Sequence, residues 1–131
     1  GGCSGLTELH SRTIGDPTSM MSMSLPKRLV PSWDDQYLFV SNGHANAIGI
    51  LAVSDLLTAS VDALPYRNVL GAKSWTDRSA GSTTDKFSGP DGLALTPDGC
   101  HLYVADVGNH RGAIVKKPLA SGLAPITSGC P

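Results

Sequence analysis

Charge is scarce in this chain. Only 16% of its 131 residues are Asp, Glu, Lys or Arg, and they balance to a net charge of −1. There is no basic stripe or polybasic tail, which argues against a nucleic-acid partner. No apolar run approaches the ~18 residues that a membrane-spanning helix requires; the longest lies near 47–53. The 3 cysteines include no C-x-x-C pair, so neither a zinc knuckle nor a thioredoxin-like site is indicated. No Asn-x-Ser/Thr sequon occurs, and N-glycosylation is not expected. Residue 1 is Gly and no leader pattern follows it, so the expectation is a processed mature chain or a piece of a longer one.

What the chain does have is turn chemistry. Its 15 Gly and 9 Pro, with few charges, suit short strands joined by many turns better than long helices. The length fits one domain with a modest core. Cys3 and Cys130 sit near the two ends in Gly-rich contexts. They are candidates for a disulfide with each other or with neighbouring chains, which favours an extracellular, oxidising compartment. The alternative is three free thiols in a cytosolic chain.

The most informative segment is "FSGPDGLALTPDGCHLYVADVGNHR", residues 87–111. Two apolar runs flank Pro97-Asp98-Gly99, a turn in which Pro presets φ and Gly permits a positive one. Shifted back by 64 residues, Pro90 falls on Pro26, Leu93 on Leu29 and Asp98 on Asp34, while Leu102-Tyr103-Val104 falls on Leu38-Phe39-Val40. Third strands are expected over 47–53 and 112–116. A fourth-strand element ending in Gly also recurs, as "HSRTIG", "YRNVLG" and "APITSG". The expected fold is all-β, with about two four-stranded antiparallel blades and a spare N-terminal strand (8–15). Each blade buries its faces only against a neighbour. The expected divisions are a preceding strand and loop (1–25), a first blade (26–71), a long Ser, Thr and Gly-rich loop (72–89) and a second blade (90–131). Residues 54–62 read as a helical turn or a loop.

The segment "GPDGLALTPDGCHLYVADVGNHR" resembles an NHL repeat, a β-propeller blade motif. The resemblance rests on Pro90, Gly92, Asp98, Gly99, 103–106 and 108–111, and the first copy departs from it at Lys27-Arg28 and "SNGHAN". It implies a propeller, and a closed propeller requires ~4 to 8 blades. About two blades therefore imply an incomplete propeller or an open array. Its terminal strands would pair with further blades, in the same parent chain or in another copy, as a ring or a filament.

The same resemblance makes Asp106, Asn109 and His110, with His44, candidates for a channel site holding Ca²⁺ or Zn²⁺, as in propeller lyases and hydrolases. Set against this, an Asp closing a strand commonly binds loop amides, and Asn favours turns. The two histidines are also offset by two residues between the copies. Trp75, in the long loop, is a candidate anchor for a protein partner, or folds back over a blade edge. Gly1-Gly2-Cys3-Ser4-Gly5 lacks the preceding strand of a nucleophile elbow, and Gly71-Ala72-Lys73-Ser74 lacks the glycines of a P-loop. The favoured function is a non-enzymatic scaffold that meets protein partners or copies of itself. The alternative is a fragment of a propeller lyase or hydrolase with a channel metal.

Overall fold

A computed structural model describes residues 12–15, 22–58 and 63–131. Strands β1 (Pro26–Pro31), β2 (Tyr37–Asn42), β3 (Ala47–Ala52) and β4 (Asn68–Leu70) form one antiparallel sheet in chain order. Strands β5 (Pro90–Leu95), β6 (His101–Asp106) and β7 (Arg111–Lys116) form a second, also antiparallel. The one α-helix among the described residues, α1 (Val53–Thr58), follows β3. The architecture is all-β with two open blades.

The repeat holds residue by residue. Pro26 pairs with Asn42 and Leu29 with Val40, with a bulge between; Pro90 pairs with Asp106 and Leu93 with Val104, with the same bulge. Every strand of the second sheet begins 64 residues after its counterpart, as Pro90 does after Pro26. The β1–β2 and β5–β6 turns are built alike. The Ser32 hydroxyl donates to Asp34 Oδ1 at 2.6 Å and accepts the Tyr37 N–H at 3.0 Å. Thr96 donates to Asp98 Oδ1 at 2.6 Å and accepts the His101 N–H at 3.1 Å. The Ser32 hydroxyl, then the Gln36 N–H, hold Asp34 below the usual carboxylate range; the Thr96 hydroxyl, then the Cys100 N–H, do the same for Asp98. Asp35 and Gly99 occupy the same positive-φ position, at 59° and 75°. A side chain at Gly99 would also press on Trp33, 2.7 Å from its ring.

Two cores flank the first sheet. One face, with Val40, Ala47, Leu51 and Val69, is covered by Ile14, Leu64 and Tyr66. Gly49 lets the Tyr66 ring lie flat on the sheet, since any Cβ there would fall 2.2 Å from it. The other face, with Phe39, Ile48, Ile50 and Leu70, packs on Leu102, Val104, Leu93 and Val115 of the second sheet. Burying the first sheet on both faces makes all six residues of β3 buried. The second sheet alternates instead, with Leu102 and Val104 inside and Tyr103 and Ile114 47% and 59% exposed.

Several expectations change. The second sheet has three strands, not four: 124–129 forms no strand, and Ile126 N–H instead donates to the Leu119 carbonyl at 2.5 Å. The spare strand, 8–15, falls largely outside the described residues. Within it, Ile14 makes a single parallel bridge to Leu64 of the same chain, not to a neighbouring blade. Cys130 is bonded to Cys100, with 5.5 Å between their Cα atoms, so it is not the partner of Cys3; Cys3 lies outside the described residues. Residues 54–58 are helical, with Leu56 packed on the first core and Leu57 53% exposed.

Candidate functional site

The polar run closing the repeat places Asp106, Asn109 and Arg111 together. Asp106 ends β6 with no exposed surface, and a 3-10 turn (Val107–Asn109) then reverses the chain. The turn ends at His110 in a left-handed conformation, which returns Arg111 to pair with Asp106. Asp106 Oδ1 accepts the Ser88 N–H at 2.7 Å. Its Oδ2 accepts Asn109 Nδ2 at 2.7 Å and Arg111 Nε at 2.8 Å. The remaining donors of Arg111 reach the carbonyls of Ser82, Thr83 and Lys86, and Asn109 reaches that of Gly81. A buried charge in this position is stable because the guanidinium and the amide donors satisfy both its oxygens. Its chemical effect is to clamp the long loop onto the second sheet.

The loop carries its own ion pair. Lys86, 6% exposed, donates from Nζ to Asp77 Oδ2 at 2.8 Å and to the Ser79 hydroxyl at 3.1 Å. Lys86, then the Ser79 hydroxyl and two backbone N–H groups, hold the Asp77 carboxyl well below the usual carboxylate range.

At the position of Asp106 the first sheet has Asn42, whose Oδ1 accepts the Tyr66 hydroxyl at 3.0 Å. Burial raises Tyr66 to about 12. Where the second sheet has His110, the first has Asn46, again at positive φ. Asn46 bonds the Gly89 N–H and the Arg78 carbonyl, so the first sheet also grips the long loop.

The four metal candidates are thus divided. Asp106 and Asn109 meet, but in a bonded clamp with Arg111. His44 and His110 are exposed and occupy non-equivalent positions. Among the described residues, no three His, Cys, Asp or Glu side chains gather as metal ligands. Trp75 is half-buried and packs against the first core, whereas Trp33 is 72% exposed beside the Gly99 turn. Trp33 borders a cavity of about 440 Å³ between the two turns, walled by Leu95, Ile126 and Cys130.

Sequence reasoning grouped Arg111 with Asp106, Asn109 and His110 but did not see it as the hub of the clamp, and it missed Cys100 as the disulfide partner and the open side of β7. Two open grooves, of about 430 and 240 Å³, run along that strand and share Thr84, Phe87, Ile114 and Val115. The open side of β7 had no signal in the sequence, because "APITSG" reads as the strand that would cover it; among the described residues no strand does. Comparison with family models and with curated proteins finds no match for the chain.

Proposed function

We propose that the chain is a non-enzymatic β-propeller-type module of the NHL kind, acting as an interaction or assembly scaffold. The observation that carries this reading is the asymmetry of the two repeats. They share one spacing and one turn design, yet only the first sheet is covered on both faces and completed by a fourth strand. A repeated sheet with one apolar face open is what a neighbouring unit would complete. Of the residues that suggested a channel metal, Asp106 and Asn109 are engaged in holding the loop. The Cys100–Cys130 disulfide supports an oxidising, extracellular setting for this scaffold.

The test is mass in solution, with circular dichroism and metal analysis of native material. The reading expects a strand-rich spectrum and assemblies heavier than the 13.6 kDa chain. A helix-rich monomer contradicts it. So does retained Ca²⁺ or Zn²⁺ with an activity that His110→Ala removes.

A further inference from the structure

Among the described residues, β7 is the last strand of its sheet. Hydrogen bonds alternate in direction along an antiparallel strand. The Lys117 N–H donates to the Cys100 carbonyl at 2.8 Å, which fixes the phase for β7. Ala113 and Val115 therefore turn their backbone groups toward β6, and Gly112 and Ile114 turn theirs outward. Among the described residues, no strand pairs with that outer side. In the first sheet the equivalent residues, Ile48 and Ile50, face β4 and pair with Leu70 and Asn68.

Beside this edge lie the two grooves already noted, floored by Phe87, Leu70, Ala72 and Leu123. On the first sheet, Val69 opposes Gly49 and points into the first core, the face equivalent to the one that Val115 and Ala113 present to these grooves. An added strand would thus place its central residue, opposite Ala113, toward Phe87 and Leu70. At the end of the edge, Lys116 and Lys117 are exposed. Of the groove's carboxylates, Asp85 accepts the Thr83 hydroxyl at 2.7 Å. A second copy adding its own β7 about a two-fold axis through Ile114 would set Arg111 opposite Lys117, like charge against like.

From this we infer that the β7 edge binds an extended segment of a partner protein by strand addition, with an apolar residue opposite Ala113 and acidic residues preceding it opposite Lys116 and Lys117. Main-chain bonds to Gly112 and Ile114 supply the pairing, the groove selects the apolar residue, and the lysines select charge. The inference rests on the scaffold reading and names its partner chemistry.

The experiment uses the full chain, isotope-labelled, and the blocked heptapeptide Glu-Asp-Thr-Asn-Val-Leu-Gly, which sets Val opposite Ala113, Asp opposite Lys116 and Glu opposite Lys117. Expected are chemical-shift changes over 111–117 and slowed amide exchange at Gly112 and Ile114. The peptide Lys-Lys-Thr-Asn-Val-Leu-Gly should bind about tenfold more weakly, a difference of about 1.4 kcal/mol. Ile114→Pro should abolish binding, since Pro removes the outward N–H yet is accepted on edge strands. The Lys116→Glu/Lys117→Glu variant should reverse the peptide preference without touching the core, so the inference does not depend on the proline variant folding. Shifts located elsewhere, no binding, or equal binding of the two peptides overturns it. So does concentration-dependent protection of Gly112 and Ile114 in the chain alone, which assigns the edge to a second copy. The strand content and the metal analysis test the scaffold reading independently of these outcomes, and pairing of two copies overturns only the choice of partner.

Discussion

The two sheets are nearly one design placed in two environments. Phe39 and Tyr103 hold the same position, and so do Ile50 and Ile114, but the first of each pair is fully buried and the second about half exposed. The first sheet lies between the second sheet and a cover built from Ile14, Leu64 and Tyr66. The second is packed on one face only. The strand pattern therefore sets which residues share a face, while neighbours decide whether that face becomes core. The polar ends differ in the same way. Asn42 makes one bond to a buried tyrosine, whereas Asp106 holds an arginine and a loop amide.

The largest expected effect concerns these polar ends. Asp106→Ala strands the Arg111 guanidinium and the Ser88 N–H, at a cost of about 4 kcal/mol. Asn42→Ala leaves one buried hydroxyl unpaired, costing about 2 kcal/mol. Urea denaturation measures both, and equal losses would remove the distinction between the two sheets.

Next come the paired core positions. Phe39→Ala should cost about 3–4 kcal/mol, as a fully buried aromatic does. Tyr103→Ala, at the equivalent but open site, should cost about 0.5 kcal/mol in the monomeric chain. Thermal melts of the two variants at one concentration compare them directly. A large loss at Tyr103 would mean that its face is covered.

Reduction of the Cys100–Cys130 bond opens a loop of 30 residues and should cost about 3 kcal/mol. The loss should be read in melts with and without reductant. It should fall on the second sheet, whose β5–β6 turn the bond ties to the C-terminal segment. Uniform destabilisation of both sheets would show that they unfold as one unit.

The smallest effect is on acid stability. Asp77, Asp34 and Asp98 have carboxyls lowered from 3.8 by their hydrogen bonds. A lowered carboxyl contributes stability that is full above its unfolded value and is lost as pH falls through the folded value. Stability should hold near neutrality and decline below about pH 4. Asp77→Asn, which removes the strongest of these interactions, should flatten that acid decline. An unchanged acid limb contradicts the assignment.

Much of this was legible in the sequence. Pro26 and Pro90, Asp34 and Asp98, and the Leu-aromatic-Val triplets set the repeat spacing, because a turn and a bulge each demand particular residues at fixed offsets. The hairpins followed directly. The second sheet's fourth strand was misread because "APITSG" shares an apolar residue and a terminal Gly with "YRNVLG", features too short to distinguish a strand from a tethered coil. The Cys130 partner was hidden because chain separation does not report spatial distance. The two tryptophans carried no local signal of burial: Trp75 packs through tertiary contacts, and Trp33 is exposed because it sits beside a turn. Arg111 looked like the end of a motif, and only the folded loop revealed the carbonyls that it binds.

The measurement that bears most directly on the difference between the two sheets is amide hydrogen exchange in the monomeric chain at four equivalent positions. Ile48 and Ile50 should exchange slowly, through opening of the whole first sheet, while Gly112 and Ile114 should exchange nearly as fast as unprotected amides. Comparable protection at all four would mean that the β7 edge is already covered, and would contradict the account of an open second blade.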